Sequence, residues 1–190
     1  LPGGADPFEL LGWYYTGGGD KLVQDIFGQW AMPVGAIPGE AEIFCHSNVK
    51  LESMADFKGV KFRTMGMWAE VLKNNGASVV TLSGSEIYES AQRGVIDAFE
   101  YCPPAQNWPM GFQEITKYLG VPGIHSPGYL SYVLTNRDAW NALPPDLQTI
   151  FRATWKTAVI DHFLAMLVQD GVAMNDYVAY GTEVVTLSDE

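Results

Sequence analysis

The stretch GVKFRTMGMWAEVLKNNGASVVTLSGSEIYESAQRGVIDAFEY, residues 59–101, decides the fold class of this 190-residue chain. Residues 60–64 read as a strand, 67–75 as a helix stopped by Gly76, and 78–82 as a second strand. Ser83, with Glu86 three positions on, has the spacing of a capping box and opens a second helix that Gly94 terminates. Residues 95–100 read as a third strand. Strand–helix–strand–helix–strand with short connections requires parallel pairing and right-handed crossovers, so the chain is read as α/β, built on parallel βαβ units.

Upstream, residues 1–19 read as loop and turn ending in Gly17, Gly18 and Gly19. Asp20 is expected to cap a helix whose apolar face is Leu22, Val23, Ile26, Phe27 and Trp30. Residues 32–39 are extended, 42–45 a strand, and 53–59 a turn with helical character. Downstream, Pro103 and Pro104 break the chain, and 105–124 are irregular and aromatic. Residues 129–135 read as a strand and 138–143 as a short helix. Pro144 and Pro145 open a long helix or helix pair reaching about Tyr180, and 184–187 form a last strand.

Composition narrows the function. The net charge is −11 with only 11 Lys and Arg, which excludes the basic face that nucleic acid or an anionic membrane surface requires. No apolar run is expected to reach bilayer length; residues 157–171 come nearest but carry Asp161, His162 and Asp170, and read as an amphipathic or core helix. The opening residues, from Leu1 to Pro7, read as a loop without a signal peptide, as in a fragment or processed chain. Cys45 and Cys102 form no C-x-x-C pair and are expected to be two buried thiols or one disulfide. With His46 and His125 they match no zinc module, and His162 reads as a packed or surface histidine. The three glycines before Asp20 read as a turn, since neither phosphate-loop pattern surrounds them, and no nucleophile motif is present.

Ligands of parallel α/β sheets bind beyond the carboxyl ends of the strands. Arg63 and Glu100 stand at two such ends and are aimed toward one rim. Arg63 offers a planar fork of donors suited to a carboxylate. Glu100, next to Tyr101, can share a cation with the bound anion or accept a hydroxyl. The competing reading is a structural Arg–Glu pair at a loop edge. Glu42 is a candidate third oxygen ligand for Na+ or Ca2+, or else a solvated surface carboxylate. Trp13, Tyr14, Tyr15, Trp68, Trp108 and Tyr129 are the aromatics nearest loops and could line a pocket.

Residues 56–64, DFKGVKFRT, resemble the D-x-K-G-x-K-x-R core of TRAP (tripartite ATP-independent periplasmic) solute-binding proteins. The likeness continues through GASVV at 76–80, SEIY at 85–88 and QRGVIDAFE at 92–100, and through Asn136, Trp140, Leu143 and Pro144. Trp13, Tyr14 and Tyr15 before the three glycines resemble the subgroup that binds 2-oxo and 2-hydroxy acids. The resemblance implies a bilobed, type II periplasmic-binding-protein-like architecture closing over its ligand, apparently truncated at both ends. It assigns 1–40 to lobe I, 41–100 to the βαβ core of lobe II, 101–128 to a return to lobe I, and 129–190 to a hinge strand and helices mainly of lobe II.

By the same resemblance Arg63 grips the ligand carboxylate, while Trp13, Tyr129, Glu100 and Tyr101 complete the ligand site. The implied cation ligands are Glu100, the main-chain carbonyl of Tyr101, and Glu42, or Glu40 if the alignment shifts by two. A glutamate where the subgroup has glutamine favours Ca2+ over Na+. The implied function is a periplasmic receptor capturing a small organic carboxylate, a 2-oxo or 2-hydroxy monocarboxylic acid such as pyruvate or lactate. It would deliver this ligand to membrane permease subunits, with no organic cofactor, no catalysis, and a homodimer as a further expectation. The rivals are an α/β enzyme using Glu100 as general base and a ligand-sensing module.

Overall fold

The computed structural model describes residues 4–188, so the loop reading of residues 1–3 falls outside it. The loop expected over the rest of 1–19 is instead largely helical. Asp6 caps α1 (Pro7–Thr16): its Oδ1 accepts from the N–H groups of Phe8 and Glu9 at 2.7 and 3.0 Å, and Glu9 accepts in return from the Asp6 N–H at 3.2 Å. This reciprocal box, with proline at the first helical position, starts the helix despite the glycines around it. In α2 (Gly19–Phe27) the cap is Gly18, at φ 85°, and Asp20 sits in the first turn, which corrects the expected Asp20 cap. Gly28 follows this helix, so Trp30 lies beyond it and is exposed.

The chain continues through β1 (Met32–Gly39), β2 (Cys45–Ser47), β3 (Lys61–Arg63), α3 (Gly66–Asn74), β4 (Ser78–Val80), α4 (Ile87–Gln92), β5 (Ala98–Phe99), α5 (Pro104–Asn107), β6 (Tyr118–Val121), β7 (Tyr129–Thr135), α6 (Arg137–Asn141), α7 (Pro145–Tyr180) and β8 (Glu183–Thr186). The Ser83–Glu86 box is present as expected and leads through a 3-10 turn into α4. The strand expected at 42–45 begins three residues later, and β6 arises inside the segment read as irregular.

Two compact units result. One contains Ala41–Pro127, the chain from Val168 on, and Gly4; the other contains Ala5–Glu40 and Gly128–Leu167. Residues 101–127 therefore lie with 41–100, where a return to the other lobe was expected, and 129–167 lie with 5–40. Strand pairing explains both differences. β6 pairs with β2 inside the first unit, and β7 pairs with β1 from Met32–Thr135 to Gly39–Tyr129 in the second.

The first unit holds a six-stranded sheet in the order β4-β3-β5-β2-β6-β8. β3 runs parallel to both β4 and β5, as the βαβ reading requires. β2 is antiparallel to β5 and β6, and β8 is parallel to β6, so the sheet is mixed. Alternation along the strands separates two apolar clusters. Phe62 and Ala98 join Phe44, Phe57, Trp68 and Leu72, while Phe99 joins Ile87, Ile96 and Phe112. Each fully buried phenylalanine contributes about 1.5–3 kcal/mol relative to exposure. Gly120 on β6 lets Cys45 approach: a Cβ there would lie 2.7 Å from the Cys45 sulfur. Cys45 and Cys102 are free thiols, pushed up to about 12 and about 11 by burial.

In the second unit Tyr14, Val23 and Ala36 are the buried centre, with Phe27 and Tyr132 packed on it. Trp155 lies against Gly35 and donates its indole N–H to the Ala36 carbonyl at 3.2 Å. α7 is one continuous 36-residue helix, and by length and composition alone it is long and apolar enough to cross a membrane, contrary to the reading of 157–171. Leu164, Leu167, Val168 and Val172 on it are exposed.

His46, on β2, is fully enclosed. Its ring stacks on Phe99 at 5.2 Å, and its Nε2 lies 3.2 Å from the Asn107 amide nitrogen. Burial pushes its pKa down to about 3. A histidine neutral when folded but basic when unfolded costs stability as pH falls below about 6.5, at up to about 1.4 kcal/mol per pH unit. Thermal unfolding between pH 7 and 4 should show this loss, and His46→Gln should flatten it even if its stability at pH 7 is lower.

Candidate functional site

Arg63 ends β3 and is 2% exposed. Its Nε and Nη2 donate to the Leu82 carbonyl at 3.1 and 3.0 Å, and its Nη1 donates to the Glu100 carbonyl at 2.9 Å and to Glu100 Oε1 at 3.2 Å. A guanidinium has five N–H groups, so four are engaged within the protein and one, on Nη2, stays open. Glu100 follows β5, and its N–H bonds the Arg63 carbonyl at 3.3 Å, extending the parallel ladder. The two side chains thus share a rim, as expected from their strand positions. The structural Arg–Glu pair weighed as one alternative is present, and it leaves one guanidinium N–H open beside it.

A cavity of about 370 Å3 opens on this rim, lined by Glu42, Arg63, Thr64, Met65, Gly66, Met67, Trp68, Glu100, Tyr101 and His125. Glu42 lies in the segment before β2, where its N–H bonds the Ser126 carbonyl at 3.0 Å. Its side chain meets His125, with Oε2 3.0 Å from the ring Nε2. The same Nε2 lies 3.8 Å from Glu100 Oε2. Glu42 lines this cavity, whereas Glu40 belongs to the other unit and is absent from the lining. Tyr101 packs its ring against Gly84, with the Arg63 guanidinium carbon 5.8 Å from the ring centre.

Burial raises the pKa of Glu100, while Arg63 beside it works in the opposite direction. Among the described residues, the side chains grouped closely enough to hold a metal ion are Glu42, Glu100 and His125, whose donor atoms lie within 4.8 Å of one another. Cys45, His46 and Cys102 are not in this group. His125 is the member of this group that was not expected beside Glu42 and Glu100. Its turn is braced by Ile124 N–H to Pro122 O at 2.9 Å and Ser126 N–H to Gly123 O at 3.0 Å. Gly123 sits flush against the Glu42 carbonyl, where any Cβ would collide.

Trp13 and Tyr129, also expected at the site, belong to the second unit, where Tyr129 packs over Gly39. That unit has its own cavity of about 400 Å3, lined among others by Tyr14, Tyr15, Lys21, Arg152 and Lys156, and neither Trp13 nor Tyr129 lines it.

Residues 39–190 match the family described as bacterial extracellular solute-binding protein, family 7. The whole chain is 33% identical to a monocarboxylate 2-oxoacid-binding periplasmic protein of Nostoc sp. (strain PCC 7120), covering 52% of it. It is similar to a TRAP periplasmic solute-binding protein from Colwellia psychrerythraea solved with bound calcium and pyruvate: TM-score 0.87, 28% identity, 100% of this chain and 58% of that one. A second, from Pseudoalteromonas atlantica with bound sodium and pyruvate, gives TM-score 0.84 and 28% identity over 99% of this chain and 58% of that one. The chain thus spans about half the length of the curated relative it matches.

The Gly123 contact makes a structural prediction. Gly123→Ala should push the 122–126 turn off Glu42, lowering the melting temperature and shifting the His125 ring resonances in NMR spectra. A variant with both unchanged would mean that the turn does not depend on this approach.

Proposed function

The chain belongs to bacterial extracellular solute-binding protein family 7, and on that premise we propose that it captures a small organic carboxylate outside the cytoplasm, for transfer to the permease subunits of a TRAP transporter. The ligand class is a 2-oxo or 2-hydroxy monocarboxylic acid. The observation that carries this reading is the convergence of Arg63, Glu100, Glu42 and Tyr101 on one cavity. The relatives with bound pyruvate and the 2-oxoacid-binding protein of Nostoc support the ligand class.

The ligand carboxylate meets Arg63 through the open Nη2–H and through the Nη1–H that now contacts Glu100 Oε1 at 3.2 Å. That exchange frees Glu100 for a cation. Glu42, Glu100 and the ligand are three anions facing one guanidinium, and a cation between them relieves the repulsion. Oxygen donors from Glu42, Glu100 and the Tyr101 carbonyl suit Ca2+ or Na+, the ions bound with pyruvate in the two related structures. The family's role is solute binding, so catalysis with Glu100 as general base is set aside. Glu100 is moreover tied to Arg63 and 8% exposed, an acid placed to be neutralised and not to shuttle protons. Self-association into a homodimer belongs to the same proposal.

Calorimetry against pyruvate and lactate tests the assignment. A charge-assisted hydrogen bond is worth about 1.5–3 kcal/mol, so Arg63→Ala should weaken binding by about tenfold or more. Arg63→Lys, which keeps a buried charge beside Glu100, should weaken it as well because the fork is lost. Unchanged affinity in a folded Arg63→Lys protein would remove Arg63 from the site. Chelation in Na+-free buffer should also lower affinity; full binding there would leave Glu100 a hydroxyl acceptor only.

A further inference from the structure

The cavity of the second unit plays no part in the carboxylate reading. It measures about 400 Å3 and shares no lining residue with the Arg63 rim. Lys21, Arg152 and Lys156 line it, against a single acid, Asp20. Lys21 stands in the first turn of α2, while Arg152 and Lys156, four residues apart, lie on one face of α7. Burial raises the pKa of Tyr14 and Tyr15, which complete the wall, so both phenols stay neutral at pH 7. The cavity therefore carries an excess of two positive charges in a chain whose net charge is −11. We propose that it binds a small organic dianion, a dicarboxylate or a phosphate monoester, at a site separate from that of the monocarboxylate.

The three cations lack acidic partners although the chain offers 22 Asp and Glu for 11 Lys and Arg. Among the described residues the ion pairs are made by Lys50, Lys61, Arg63, Arg93 and His125, and none of the cavity cations is in one. Aromatic rings hold two of them instead. Lys156 Nζ lies 4.4 Å from the centre of the Tyr15 ring, and the Arg152 guanidinium carbon lies 5.0 Å from that of Trp140. Arg152 also donates through Nη1 to the Val34 carbonyl at 3.3 Å, which engages one of its five N–H groups. Like charges four apart on a helix repel. A bound anion turns that repulsion into attraction.

The start of α2 adds to the same field. Its cap, Gly18, has no side chain to offer, so the positive end of the helix is not closed there. Asp20 turns one oxygen to the N–H of Lys21, at 2.7 Å, and forms no ion pair with the cations. The volume lies within the range of small-molecule sites, about 300–1,000 Å3. A guanidinium fork with two ammonium groups suits carboxylate and phosphate oxygens alike, so charge and size define the ligand: two negative charges on a small body.

The test is calorimetry of the whole chain at low ionic strength with succinate, phenyl phosphate and the monoanion benzoate. Succinate or phenyl phosphate should bind at one site per chain, the tighter of the two naming the dianion, and benzoate should bind about tenfold more weakly or worse. Added NaCl should weaken the dianion, because the lysine heads are exposed. Lys21→Gln and Lys156→Gln should each weaken it by about threefold to fivefold and leave pyruvate binding unchanged. These variants spare Arg152, whose contacts with Val34 and Trp140 belong to the fold. Failure of both dianions to bind, benzoate binding as tightly as they do, or full dianion affinity in a folded protein carrying both lysine substitutions would overturn the proposal. Displacement of the dianion by pyruvate would also overturn it, by placing the dianion at the Arg63 rim.

Discussion

The guanidinium of Arg63, buried between the Leu82 carbonyl and Glu100, is the contact that ties together the ends of three parallel strands. β3 supplies the arginine, the segment after β4 supplies the carbonyl, and the residue after β5 supplies the carboxylate. The apolar clusters on both sides of the sheet fix where those strands end, and the ion pair fixes how the ends face each other. Removing one partner of such a buried pair costs about 3–5 kcal/mol, because the other charge is left stranded. The pair is therefore part of the fold, whatever it binds. Glu42 and His125 reach the same rim from segments on the other side of β5, through β2 and β6.

This arrangement resolves an apparent conflict between composition and the proposed function. A chain of net charge −11 is a poor collector of anions at long range. On the proposed reading its site works locally, by one oriented arginine and a cation that the neighbouring carboxylates attract. Desolvation raises the proton affinity of Glu100, and the same desolvation strengthens its attraction for any positive charge that enters. An excess of acid around the arginine thus fits the proposed site, which an ion would complete. Met65, Met67 and Trp68 provide the apolar wall that lets those charges act at short range.

Much of this was readable in residues 59–101, because each element there carries its own local signal. Gly76 and Gly94 stop helices, the Ser83–Glu86 box starts one, and short connections force parallel pairing. The shared rim of Arg63 and Glu100 followed from strand ends alone. Elsewhere the signals were local but masked, or not local at all. The Asp6–Glu9 box that starts α1 lay in a segment that its glycines made look like loop. β6 is four residues long with a glycine chosen for the approach of Cys45, which no propensity reveals. The unit boundaries depend on β2–β6 and β1–β7 pairing between distant segments. His125 joined Glu42 and Glu100 only through the register of β6 and the flush fit of Gly123, so a lone histidine had no spacing to give it away.

The most direct measurement is a crystal structure of the chain grown with pyruvate and a divalent cation. The account predicts density for the pyruvate carboxylate within hydrogen-bonding distance of Arg63 Nη2, with the cation ligated by Glu100 and Glu42. Pyruvate bound elsewhere on the protein, with the Arg63–Glu100 contact unchanged and no ion beside it, would contradict the account.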